Sequence, residues 1–279
     1  MGGSENYPSV LAVWSGPVIF NNILLVVGTL VLITWCIAQM QRTGKYKLRN
    51  VPLRRNNIFP ASLVLFFVGW QLCTVAAGWL FMKCSLPEME AGFLGGMIGQ
   101  IVAIPAAIIF ASYSFKRGAL RGFGLSLRHP LYDTARGVVG FLAIFPVCVM
   151  LGAIVTTIFE QFSISYTPHE FIQALPTISA GWKVVVVISA AILAPIIEEI
   201  FFRGLVQSAL RRIVSPWTAI IITSIIFAAI HVSQPQYIPA LFVLAIALGY
   251  NYERCGRLWP SILIHVLFNS TTLITKLMS

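Results

Sequence analysis

Charge is what this sequence has least of. Only 10% of its 279 residues are Asp, Glu, Lys or Arg, against 58% hydrophobic residues, and the mean hydropathy is +0.85. Soluble domains are about 25% charged, and a chain this poor in charge cannot cover a water-facing surface. Acidic residues are the scarcest, nine against 19 Lys and Arg, which gives a formal net charge of +10. That excess does not mark a nucleic-acid binder, which gathers its cations into a patch on a soluble face. Here they fall between apolar runs. The five cysteines (Cys36, Cys73, Cys84, Cys148 and Cys255) show no paired spacing, so neither a disulfide framework nor a CxxC metal motif is expected. Residues 1–17 hold no Lys or Arg, so no cleavable signal peptide is expected either. No internal repeat or low-complexity segment is present, which weighs against transporter folds built from duplicated halves.

What is present is a series of apolar runs. A helix crosses the hydrocarbon core with about 20 apolar residues. Eight candidates stand at 18–40, 60–82, 92–115, 137–158, 183–213, 216–233, 238–252 and 259–277. The fold expected is all-α, a polytopic bundle of about eight spans. The fifth run is too long for one crossing and the seventh is short. A division is expected between N-terminal helices of unassigned role (1–136) and a core (137–279). Gly92, Gly95, Gly96 and Gly99 give the third run the small-residue spacing of close helix packing.

Loop charges orient the bundle. Arg42, Lys45, Lys47, Arg49, Arg54 and Arg55 follow the first run. Lys116, Arg117, Arg121, Arg128 and Arg136 follow the third. Arg203, Arg211 and Arg212 close the fifth, and Arg254 and Arg257 precede the eighth. Only Lys83, Lys183 and Lys276 fall elsewhere. This alternation expects the basic loops in the cytoplasm, in an integral membrane protein of a prokaryotic plasma membrane.

Ionisable residues inside spans are costly and mark function. Glu198 and Glu199 stand together after the run Val184–Ile197. Arg203 lies four residues beyond Glu199, the spacing at which side chains on one helix face pair. Glu198 is thereby left free, and a carboxylate in such a setting suits general-base work. His231 closes the sixth run, and His265 and Asn269 share a face of the eighth. The turn between the fifth and sixth runs falls near Val214 and Ser215. Counting from it places Glu198 and His231 at one depth, each roughly 24 Å away at 1.5 Å per residue. His129 and His169 lie in loops and read as solvated.

Glu198-Glu199-Ile-Phe-Phe-Arg203 reads EExxxR, Phe227–His231 reads FxxxH and His265–Asn269 reads HxxxN. In this order they resemble the CPBP (ABI) family of intramembrane proteases, which includes the type II CAAX prenyl endopeptidases. The stretch 249–260 resembles that family's connector, and the resemblance covers about residues 183–275. It implies peptide hydrolysis by an activated water, held and deprotonated by Glu198 and His231. His265 and Asn269 would stabilise the oxyanion, and Glu199 and Arg203 would shape the site. The family has also been classed as metallopeptidases. The sequence has no HExxH, yet Glu198, His231 and His265 could hold zinc with one open position. The metal-free glutamate mechanism is preferred, because the Arg203 cation beside the site disfavours a metal.

The function expected is therefore an intramembrane endopeptidase acting on membrane-associated peptides or proteins, with lipidated CAAX-type tails as candidates. The alternatives are a non-proteolytic scaffold or immunity protein on the same fold, and a channel or transporter lined by the carboxylates.

Overall fold

In the computed structural model, residues 16–41, 48, 54–125, 129–165, 175 and 177–278 are described. They form helices α1 (Gly16–Gln41), α2 (Pro60–Lys83), α3 (Glu88–Ser114), α4 (Gly118–Phe123) and α5 (Pro130–Gln161). The C-terminal half adds α6 (Ala180–Leu210), α7 (Pro216–Ala229), α8 (Ile238–Cys255) and α9 (Trp259–Met278). Each of the eight expected runs is a helix, and α4 is an additional short one. Among the described residues, five helices (α1, α2, α3, α5 and α6) are long and apolar enough to cross a membrane. The chain is an integral, multi-pass helical bundle.

The helix ends follow local chemistry. Pro60, Pro130 and Pro216 stand in the first turns of α2, α5 and α7, where the missing N–H costs nothing. Ser215 caps α7, its side chain accepting from the Thr218 N–H at 3.2 Å. Gly256 ends α8 at φ +69°, the left-handed conformation glycine adopts without strain.

α3 packs on α2 through a stripe of small buried residues, Ala91, Gly95, Gly99, Ala103, Ala107 and Ala111. A Cβ on Gly95 would lie 2.7 Å from the Gly78 nitrogen and 2.8 Å from the Thr74 carbonyl oxygen. The packing expectation thus holds for Gly95 and Gly99. Gly92 and Gly96 face open space, because only every fourth residue meets the neighbour.

α3 also lies along α6, while α5 packs against α1, α8 and α9. The strand-like segment Arg54–Ile58 straps these layers. Its Asn56 side chain donates to Ser208 O at 2.9 Å, and Arg54 stacks 3.7 Å from the Tyr252 ring centroid.

Two expectations need correction. α7 ends at Ala229, not at 233, so His231 sits in a turn beyond the helix. Pro235 disfavours helix at Gln234, which adopts φ −129° and ψ 66°. Arg203 is not a loop cation: it is fully buried inside α6. Of the remaining expected loop residues, Arg42, Lys45, Lys47, Arg49, Arg128 and His169 lie outside the described residues.

Candidate active site

α6 is not a plain α-helix. It winds as π-helix over Ile188–Leu193 and again over Ile200–Gln207. In a straight α-helix, residues four apart drift about 40° around the axis. A π turn takes in an extra residue and offsets that drift. Side chains four apart on α6 therefore stay in line. From Glu199 the line runs through Arg203, Gln207 and Arg211, and its first three members are wholly buried. From Glu198 it runs through Phe202, Val206 and Leu210. These three line an apolar cavity of about 540 Å³ between α2, α6 and α7, at whose edge Arg212 stands. Two adjacent carboxylates thus head two different faces, one polar and sealed, one apolar and open.

Glu199 is committed. Its Oε1 accepts from Arg203 Nη1 at 2.7 Å and from His265 Nδ1 at 3.0 Å. Arg203 Nη2 donates in turn to Ala245 O on α8 at 3.2 Å. Two buried charges are tolerated only when paired and hydrogen-bonded in this way. Glu198 is different: its side chain keeps 17% exposure, and its Oε2 lies 3.7 Å from His265 Nε2, beyond hydrogen-bond length. A neutral imidazole donates through one nitrogen only. His265 meets Glu199 through Nδ1 and turns Nε2 toward Glu198, so its ring stands between the two carboxylates.

Phe227 gathers the remaining groups. Its ring centroid is 4.9 Å from the His231 ring, 5.8 Å from the His265 ring and 4.8 Å from the Arg203 guanidinium carbon. His231 Nδ1 is 2.7 Å from Phe227 O, so it carries the proton and Nε2 stays open. No hydrogen bond joins His231 to Glu198 among the described residues; the Phe227 ring lies between His231 and His265, and His265 in turn faces Glu198. Asn269 Nδ2 donates to Ala190 O at 3.0 Å, inside the first π stretch. Ala190 precedes Glu198 by eight residues, roughly 12 Å along the helix. The structure therefore brings Glu198, Glu199, Arg203 and His265 into one cluster and His231 to its rim. Asn269 is fastened further along α6.

Composition and motif reading missed two residues of this neighbourhood. Gln207 and Glu253 are buried and bonded to one another, Nε2 to Oε1, at 3.1 Å. The signal for Gln207 was available in the four-residue spacing 199, 203, 207. That for Glu253 was not, since it depends on which helix lies opposite.

The metal reading can be tested on the same geometry. Among the described residues, no three His, Cys, Asp or Glu side chains converge as ligands. Glu199 is held by Arg203 and His265, and His231 faces Phe227 O through one nitrogen. His265 Nε2 is 3.7 Å from Glu198 Oε2 and His231 stands apart from both, so the three are not assembled as a ligand set in this arrangement.

A multi-pass helical membrane protein with a buried carboxylate–arginine–histidine cluster is the class that fold and site define. Residues 180–271 match the family described as type II CAAX prenyl endopeptidase Rce1-like. A Bacillus subtilis (strain 168) protein named "Putative membrane peptidase YdiL" is 28% identical over 108 residues. That match takes in 39% of this chain, and the chain spans 41% of that relative's length. No solved structure matches. These likenesses support the CPBP family of membrane proteases, the family its three motifs resemble.

Proposed function

We propose that the protein is an intramembrane endopeptidase in which Glu198 activates the attacking water. The observation that carries this reading is the division of labour between the adjacent carboxylates. Glu199 engages Arg203 and His265 through its Oε1, while Glu198 remains partly exposed at the head of the apolar stripe Phe202–Val206–Leu210. A base must reach both water and substrate, and Glu198 is the carboxylate so placed.

Glu198 takes a proton from the water, whose oxygen adds to the scissile carbonyl carbon. The same proton then passes to the leaving amine as the C–N bond breaks, so no net proton is gained or lost at Glu198. His231 Nε2, an acceptor, orients the water through its second hydrogen. Arg203 offsets the charge of Glu199, which otherwise would oppose a second anion beside it. His265 serves as an oxyanion donor only with both nitrogens protonated, since Nδ1–H is committed to Glu199. Asn269, bonded to Ala190 O roughly 12 Å along α6 from Glu198, fastens α9 to α6 rather than serving as a second donor. No step uses a metal.

The cavity supports a substrate with an apolar or lipid-bearing segment, CAAX-type tails among them. Its lining runs from Arg212 to Ile230, the neighbour of His231. We place the protein in a prokaryotic plasma membrane with its basic loops in the cytoplasm.

The test is cleavage of quenched fluorescent peptides by detergent-solubilised protein, one prenylated CAAX peptide beside a pool of unmodified membrane peptides. Wild type should cleave with or without chelator, and Glu198→Gln should lose on the order of 10²–10⁴-fold, the worth of a positioned base. Loss on chelation with recovery on zinc would make Glu198 a ligand instead. A folded wild type that cleaves nothing would favour the non-proteolytic scaffold.

A further inference from the structure

The polar stripe on α6 meets α8 in a fixed register. Arg203 Nη2 donates to Ala245 O at 3.2 Å, Gln207 Nε2 to Gly249 O at 3.2 Å, and Arg211 Nε to Glu253 Oε2 at 3.2 Å. Every rung joins a residue to the one 42 positions later. Both helices therefore run in the same direction and step by four residues per rung. A cross-link between rungs, Gln207 Nε2 to Glu253 Oε1 at 3.1 Å, binds the second to the third. Gly249 makes room for it: a Cβ there would lie 2.8 Å from Gln207 Oε1 and 3.2 Å from Ile220 Cγ2.

The first rung is also part of the candidate site. Arg203 holds Glu199 with Nη1 and α8 with Nη2, while its buried Nε has no partner among the described residues. Its hydrogen bonds thus orient the guanidinium from two sides, with the Phe227 ring against its face. Its depth relative to Glu199 depends on how α8 is registered against α6, and the next two rungs set that register.

We propose that Gln207 and Glu253 are positioning residues for the reaction. Through the Ala245–Gly249–Glu253 face of α8 they fix Arg203, hence Glu199, hence the ring of His265. This rests on the peptidase reading for its kinetic consequence, but the register itself does not. A side chain that only filled space at 207 would be replaceable by leucine. One that sets a register would not, because misplacement of about 1 Å in a catalytic group costs up to a hundredfold in rate.

The experiment uses the full chain in detergent, as wild type, Gln207→Leu, Gly249→Ala and Glu253→Gln. Gly249→Ala displaces Gln207 without deleting a polar group, so it still decides the matter if Gln207→Leu fails to fold. Glu253→Gln keeps an acceptor for Gln207. Two quantities are read: kcat and KM on the peptide that wild type cleaves best, and the [15N]arginine side-chain resonance of Arg203, assigned with Arg203→Lys. Gln207→Leu should lower kcat about ten- to a hundredfold at unchanged KM and shift or broaden the Arg203 resonance. Gly249→Ala should act in the same direction, and Glu253→Gln should lose less than Gln207→Leu. An Arg203 resonance and a kcat both unmoved in folded Gln207→Leu or Gly249→Ala would overturn the proposal. If wild type cleaves no peptide yet the resonance moves as stated, the register stands and the peptidase reading falls.

Discussion

Replacing Arg203 by methionine isolates the energetics on which the site depends. Arg203 and Glu199 are both without exposed surface, and their 2.7 Å contact is the shortest link in the cluster. Removing the cation leaves a carboxylate buried with only the His265 Nδ1–H beside it. Breaking a buried pair from one side typically costs about 3–5 kcal/mol, here on the order of 10 °C in Tm. Removing both charges, as Glu199→Gln with Arg203→Met, should restore most of that loss, because a buried pair replaced by groups of similar volume is often neutral. The amide oxygen introduced at position 199 would still accept from His265. The assay is SDS-driven unfolding in mixed micelles, followed by near-ultraviolet circular dichroism, for wild type, both single variants and the double variant. The reasoning predicts a double variant within about 2 kcal/mol of wild type and well above Arg203→Met. Equal stability of Arg203→Met and the double variant would refute it, as would a single-variant loss below about 1 kcal/mol. Salt should change none of these values much, because screening acts little on a pair without solvent contact.

Two more outcomes follow from packing and charge. Gly95→Val should destabilise the α2–α3 pair by about 1–3 kcal/mol, since the new side chain meets Gly78 and Thr74 backbone that cannot rotate aside; Gly92→Val, on the open face, should be nearly silent in the same unfolding assay. Arg257→Ala strips the 2.6 Å partner from Asp133, whose side chain is 1% exposed, and should cost about 3 kcal/mol. Adding Asp133→Asn to it should recover part of that loss.

Much of the helical layout was legible because lipid imposes so simple a rule on composition. The runs expected at 60–82, 92–115 and 259–277 fall on α2, α3 and α9 within a few residues. The Glu199–Arg203 pair was legible too, since four-residue spacing is a property of the helix alone. His231 was harder: its motif was visible, but the end of α7 at Ala229 depends on how Pro235 redirects the chain. Asn269 shows the limit of spacing arguments. It shares a face with His265 as expected, yet its amide is bonded to Ala190 O, in a stretch whose π winding no hydropathy count reveals. The pairing of Gln207 with Glu253 was invisible for a related reason. Hydrophobic periodicity says which residues are inside, whereas their partnership depends on the parallel pairing of α6 with α8 across an intervening helix.

The uneven winding of α6 has a consequence for how this chain tolerates change. Each π turn behaves as one residue more than an α-helix needs, stored within the span. Deleting a single residue between Ile200 and Gln207 would let that stretch relax to ordinary winding, and the span beyond it would keep its phase relative to the span before. The same deletion in a plain α-helix would turn one end by about 100° against the other. What the shortened span would lose is local: inside the stretch, side chains four apart would drift out of the line that Glu199, Arg203 and Gln207 now share. The span thus carries slack, one position it can give up while both of its ends stay in step.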